Sequence, residues 1–225
     1  MTDRTHAASP GSRDGPAIEI APGRIGGRLE FASLFGRAAP IEIEIGIGKG
    51  RFLLQQAEQR PDVDFLGLEW SLKHLRVAQE RAAARRLSNV RLLRVDARHV
   101  ITDLVGDSSV QRLHVYCPDP WPKKRHHKRR FFSPAVAPHL ERVLMAGGFL
   151  HLSTDVREYF GVIREVLRQH TRLREASDAL FPIDEVAGKT NYETKYLRAG
   201  RPIFRASYRR DEGTRWGAGL NRSPR

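Results

Sequence analysis

Apolar residues recur along this chain at two distinct periods. Ile41, Ile43 and Ile45 alternate with Glu42 and Glu44, a two-residue repeat of β-branched side chains that predicts a strand. A glycine-rich turn follows at Gly46, Gly48 and Gly50, and residues 51–59 read as a helix. After Pro61 a second strand is predicted over 65–69. Ser71 stands as the N-cap of a helix reaching about residue 86, with Leu72, Leu75 and Ala78 on one face. A third strand, 90–95, ends at Asp96, and a short amphipathic segment covers 100–105. The fourth strand is predicted at 112–117, and a helix at 133–144 has Pro134 in its first turn. Gly147 and Gly148 lead into a fifth strand, 149–153, and residues 156–170 form a helix with Tyr159, Val162, Ile163 and Val166 on one side. Residues 203–208 alternate as a final, antiparallel edge strand. A weaker pattern at Leu29, Phe31, Leu34 and Phe35 suggests a short helix before the first strand.

Strands alternating with helices predict an α/β fold, a mainly parallel sheet covered on both faces, with ligands at the carboxyl ends of the strands. The residues at those ends are Glu44, Glu69, Asp96, Asp119 and Asp155. Residues 1–22 have too few large apolar side chains to offset the entropy of ordering and read as a disordered arm. Residues 23–210 read as a single domain and 211–225 as a basic tail.

Charge narrows the partners. The 225 residues carry a formal charge of +13 with pI near 10.6, which favours a polyanion, either nucleic acid or an anionic membrane surface. Only seven of the 39 basic residues are lysine, a bias that either phosphate recognition or general compositional drift produces. Cys117 is the single cysteine, so neither an intrachain disulfide nor a cysteine-based zinc site can form. The histidines lack ligand spacing, and no metal is expected. No apolar run approaches the roughly 20 residues of a membrane span, and the N-terminus lacks a secretion signal; the expected location is cytoplasmic.

The turn at Gly46, Gly48 and Gly50 departs from a dinucleotide fingerprint, which needs its third glycine where Arg51 stands. Glu44 would repel a pyrophosphate but attract a sulfonium or an amino group. Glu69, nineteen residues after Gly50, is placed to accept from both hydroxyls of a ribose, and Asp96 from an adenine amine. Each acid taken alone is also what a solvated strand end looks like. Taken together they favour S-adenosylmethionine as the cofactor.

The stretch from Tyr116 to Arg130 joins a strand end to a charged run. Asp119 lies between Pro118 and Pro120, which restrict its backbone and preset the direction of its carboxylate. Near a methyl donor such a carboxylate can stabilise positive charge, orient an acceptor or take a proton. Trp121 either stacks on a base or packs internally. Six of the eight residues from Lys123 to Arg130 are Lys or Arg, a density that reads as phosphate binding, with His126 and His127 as phosphate or sugar contacts.

These residues resemble the bacterial tRNA (guanine-N7)-methyltransferases, over about residues 26–208. The marks are E-I-G-I-G-K-G from Glu44, G-L-E from Gly67, P-D-P-W-P-K-K-R-H-H-K-R-R from Pro118, S-T-D from Ser153 and T-N-Y-E-T-K from Thr190. The resemblance implies a Rossmann-like fold with a mostly parallel seven-stranded sheet, an antiparallel edge strand and helices on both faces. It implies that Glu44, Glu69, Asp96 and Asp119 contact S-adenosylmethionine, with Asp119 at the catalytic centre. Lys123, Asp155, Thr190, Asn191, Tyr192 and Glu193 would bind substrate, and Arg125, His126, His127, Lys128, Arg129 and Arg130 would contact tRNA. The modified nucleoside would be a variable-loop guanosine. Pro122 departs from the pattern, where relatives often carry a polar residue.

Guanine N7 has a free lone pair and no proton, so alignment and charge stabilisation, without a general base, suffice for its methylation. With N7 facing the donor, the Watson–Crick edge presents two N–H donors that one carboxylate can accept, and Glu193 is the candidate. The rival readings are a methyltransferase for another base position and a non-catalytic RNA-binding protein of the same fold. The chain is expected to act as a monomer or homodimer.

Overall fold

In a computed structural model that describes residues 19–20, 27–176, 200 and 202–212, the chain opens on a two-residue strand, β1 (Glu19–Ile20), inside the segment expected to be an unstructured arm. There follow α1 (Phe31–Phe35), β2 (Ile41–Ile45), α2 (Arg51–Gln59), β3 (Asp64–Glu69), α3 (Leu72–Ala84) and β4 (Val90–Arg94). Next come α4 (Ala97–His99), which runs into a π-helical turn (Val100–Leu104), β5 (Val110–Tyr116) and a 3-10 turn (Lys124–Arg129). The chain continues through α5 (Ala137–Val143), β6 (Leu144–Thr154), α6 (Arg157–His170), β7 (Arg174–Glu175) and β8 (Phe204–Arg209). Thr190, Asn191, Tyr192 and Glu193, with residues 1–18 and 213–225, lie outside the described residues.

The strands form one sheet in the order β1-β4-β3-β2-β5-β6-β8-β7. β1 to β6 pair in parallel, and β8 pairs antiparallel with both β6 and β7. The expected seven strands are β2 to β8, and β1 adds an eighth at one edge. β7 escapes the pattern because two residues are too few to show a period. The predicted helix at 133–144 shortens to α5, since residues 133–137 form a turn in which Ser133 O accepts from Val136 N and Ala137 N. β6 starts earlier than expected, at Leu144, and passes through both glycines, with an irregular register against β5 between Val110 and Arg112.

Alternation along the strands assigns the two faces. Leu66, Leu68 and Leu93 pack in a cluster with Val136, Leu140, Tyr159 and Ile163 of the α5–α6 side. Phe65, Val90 and Leu92, one residue out of step, pack with Leu53, Leu54, Leu75 and Ala78 of α2 and α3. Gly67 sits on this second face, where an added Cβ would lie 2.7 Å from Leu92 Cδ2 and 3.0 Å from Ile47 Cγ2. The glycine of G-L-E thus lets the turn after β2 close down on β3.

The second face also carries a polar row. Glu42 is fully buried, and its carboxylate accepts from Arg60 Nη1 and Nη2 at 2.7 and 2.8 Å, from Arg112 Nη1 at 3.2 Å and from His114 Nε2 at 2.9 Å. Burial disfavours the Glu42 charge, but hydrogen bonds from His114 and Arg60 outweigh it and hold the carboxyl well below its usual range. Burial pushes His114 down against the pull of Glu42. A neutral His114 that donates through Nε2 must accept at Nδ1, so the Tyr116 hydroxyl, 2.9 Å away, donates to it. His151 stacks on His114 at 5.4 Å and meets Ser207 Oγ at 2.8 Å through Nδ1. Burial pushes His151 down to about 2.

His151 therefore stays neutral in the fold, whereas in unfolded chains it takes up a proton near pH 6.5. The unfolded state binds more protons below that pH, so stability falls as pH falls, by about 1.4 kcal/mol per pH unit from this histidine. In chemical unfolding measured at pH 7.5 and pH 5.5, His151→Phe should reduce the loss seen in wild type by about 1–1.5 kcal/mol.

Candidate active site

Strand order reverses between β2 and β5. β3 and β4 extend the sheet on one side of β2, while β6 and β8 extend it beyond β5. A crevice opens outside the carboxyl ends of two such neighbours. Ile45 pairs with Val115, so the loops leaving β2 and β5 start side by side at that crevice. One is the glycine turn and the other carries Asp119.

Gly46, Gly48 and Gly50 all adopt left-handed backbone, with φ of 77°, 54° and 72°. Side chains there would be strained, and an added Cβ at Gly46 or Gly48 would meet nothing within 4 Å. The turn therefore presents bare backbone to open space. It is clamped to β3, since Leu68 O accepts from Gly46 N at 2.8 Å and from Ile47 N at 3.2 Å. Glu69 completes the clamp: Oε2 accepts from Gly48 N and Oε1 from Ser71 N, both at 2.8 Å. Each carboxylate oxygen retains acceptor capacity beyond its one backbone donor. Trp70, next in the chain, is 71% exposed beside it. Glu44 is buried on the same face as Gly67, its partner in the register.

Asp96 serves first as the N-cap of α4, where Oδ1 accepts from Arg98 N at 2.9 Å. The Arg98 guanidinium also pairs with it, Nη2 to Oδ2 at 2.7 Å, and this hydrogen bond holds the carboxyl below its ordinary value. An adenine amine would share Asp96 with Arg98, a neighbour that strand-end reasoning did not anticipate.

The loop after β5 is shaped by two residues other than its prolines. Cys117 and Trp121 both have positive φ, 49° and 41°, which costs non-glycine residues about 1–3 kcal/mol each and gathers at functional sites. Cys117 N donates to Ser153 O at 2.8 Å, tying the loop to the end of β6. Asp119 is exposed. Trp121 is half-buried, with the Arg129 guanidinium 5.0 Å over its ring and His126 edge-on at 5.7 Å. One face of the indole is thus occupied from within the loop.

The basic run divides. Lys123, Lys124, Arg125, Lys128 and Arg129 are exposed and His126 and His127 half-buried, on a 3-10 turn in which Lys123 O accepts from His126 N. Arg130, expected to contact RNA with the rest of the run, is placed differently from its neighbours. It is 7% exposed, donates from Nε to Pro120 O at 2.8 Å and lies 5.0 Å over the Tyr159 ring. Asp155 is half-buried two residues before α6, whose N-cap is Val156. Among the described residues no cluster of three or more His, Cys, Asp or Glu could hold a metal ion, and no helix is long and apolar enough to cross a membrane.

Residues 38–206 match a family model described as "Putative methyltransferase". A tRNA (guanine-N(7)-)-methyltransferase of Bordetella pertussis is 37% identical over 182 residues, covering 81% of this chain and 72% of the relative. One of Mycobacterium avium is 40% identical over 192 residues, covering 84% and 73%. Among solved structures the 16S rRNA methyltransferase KamB superposes with TM-score 0.60 at 14% identity, over 86% of this chain and 99% of that one. At that identity the likeness bears on the fold alone.

Proposed function

Since the chain belongs to the family of tRNA (guanine-N(7)-)-methyltransferases, we propose that it methylates N7 of a variable-loop guanosine in tRNA with S-adenosylmethionine as donor. The observation that carries this reading is the crevice between β2 and β5, where the open glycine turn and the Asp119 loop leave adjacent strands and the basic turn follows within a few residues.

The residues fit the donor. The bare backbone at Gly46 and Gly48 would accept a close ligand, Glu69 has spare acceptor capacity for ribose hydroxyls, and Trp70 offers a flat apolar face beside it. Glu44 and Asp96 supply negative charge for the amino acid and adenine portions. When bound, S-adenosylmethionine supplies an electrophilic methyl group on a sulfonium. Asp119 holds negative charge beside the reacting nitrogen, where the methylated base becomes cationic, and no residue needs to remove a proton. Lys123, Asp155 and Thr190 to Glu193 would hold the nucleoside, Glu193 accepting from the guanine N1 and N2 donors. Arg125, His126, His127, Lys128 and Arg129 would follow the phosphates, and Trp121 would keep its turn in shape.

The test incubates the purified protein with unmodified tRNA transcript and methyl-labelled S-adenosylmethionine, then identifies the nucleoside and its position. Label in 7-methylguanosine within the variable loop is expected. Label on an exocyclic amine, or tight tRNA binding without transfer, would overturn the proposal. The exposed cations make a separate prediction: Arg125→Ala with Lys128→Ala should flatten the slope of log affinity against log salt by about 1.5–2. Donor affinity, read by calorimetry, should stay unchanged in that variant.

A further inference from the structure

Of the six cations between Lys123 and Arg130, Arg130 alone is buried. A guanidinium withdrawn from water needs compensation, and two groups provide it. Pro120, whose carbonyl oxygen accepts from Nε, immediately follows Asp119, so the bond fixes the Pro120–Trp121 peptide plane, one residue beyond the carboxylate. Tyr159 lies in the first turn of α6 and is 1% exposed, and its ring face receives the guanidinium. Burial pushes the Tyr159 hydroxyl up to about 12, with the Asp119 charge adding to the rise and Arg130 opposing it. Asp119, Arg130 and Tyr159 therefore lie within electrostatic reach of one another. The backbone around them is strained at Cys117 and Trp121 and needs an external brace to stay in that shape.

We propose that Arg130 is a positioning residue for Asp119: it ties the loop after β5 to α6 through Pro120 and Tyr159, and it makes no phosphate contact. Asp155 lies two residues before α6, so the same strap sets the Asp119 loop against the element that follows the expected substrate residue. Arginine suits the task because its planar fork donates along the Nε edge while its face stacks on the ring; a lysine ammonium does neither in that geometry. The inference rests on Asp119 lying at the methyl-transfer centre.

The test compares wild type, Arg130→Lys and Tyr159→Leu, with folding checked by thermal melting. Single-turnover transfer at saturating tRNA should slow by about 10- to 100-fold in both variants. Affinity for tRNA and its salt slope should stay within twofold of wild type. Hydrogen exchange over residues 117–125 should speed up, with β5 and α6 unchanged. The exchange readout does not depend on activity, so an inactive wild type would defeat the functional proposal and still leave the strap decided. A flatter salt slope in Arg130→Gln, a third variant that removes the charge, with or without slower transfer, would return Arg130 to the phosphate contacts. An unchanged transfer rate with unchanged exchange would also overturn the assignment. Should Arg130→Lys fail to fold, Tyr159→Leu, which removes no charge, decides by the same rate and exchange.

Discussion

Asp119→Ala is expected to lower the single-turnover rate of methyl transfer by about 10²- to 10³-fold, the loss typical of removing one preorganised electrostatic partner, while tRNA affinity changes by less than about threefold. The asymmetry follows from where the residue sits. Asp119 stands on a loop braced by flanking prolines, by Cys117 N on Ser153 O and by Arg130 on Pro120 O. In the proposed mechanism its removal takes away charge beside the reacting nitrogen, and it leaves the exposed cations of residues 123–129 in place. Asp119→Asn sharpens the point, because it preserves size and one acceptor oxygen while losing the charge. If the Asn variant transferred methyl at the wild-type rate, alignment rather than charge would be the contribution of this residue. Equal losses of rate and affinity in the Ala variant would contradict the electrostatic role altogether.

Glu42→Ala should cost about 3–5 kcal/mol of stability, measured as a shift in denaturant midpoint at pH 7.5. The carboxylate is fully buried and is the common acceptor for Arg60, Arg112 and His114. Truncating it leaves the inward-facing cationic groups and an imidazole N–H without that acceptor, which costs far more than the net worth of the pair. The cost should itself depend on pH. Glu42 has a depressed carboxyl, so its contribution is complete above the unfolded value of 4.5 and is lost as pH falls through the folded value. Wild type and Glu42→Gln should therefore converge in stability as pH is lowered below 4. A midpoint shift worth less than about 1 kcal/mol at pH 7.5 would mean that water or rearrangement satisfies the cluster.

Much of this was legible from one dimension. The repeat at residues 41–45, the Ser71 cap and the glycine turn are local signals, and they correspond to β2, α3 and the loop at the crevice. Side-chain period and cap chemistry act over a few residues, so neighbours in the chain suffice to reveal them. Other features were hidden for equally physical reasons. The alternation of Ile and Glu suggests one dry and one wet face, yet all five residues of β2 are buried, because Arg60, Arg112 and His114 converge on Glu42 from distant positions. Cys117 and Trp121 carry no mark of left-handed backbone, since residues of their kind seldom adopt it.

The sequence by itself determined the order of the longer strands, β2 to β6 and β8, and of the helices between them, the acidic residues at strand ends and the proximity in the chain of Asp119 to a block of cations. The tertiary structure decided which cations face outward. Charge sets an affinity for phosphate, but availability depends on what else lies within reach, and Arg130 reaches Pro120 O and the face of Tyr159, 29 residues further along the chain. The same holds for Asp96, whose carboxylate Arg98 shares, and for Glu69, whose first duty is to hold the glycine turn. Partners far apart in sequence meet only when the sheet brings their strands together, so the division of the loop into a braced carboxylate and an exposed basic turn belongs to the fold.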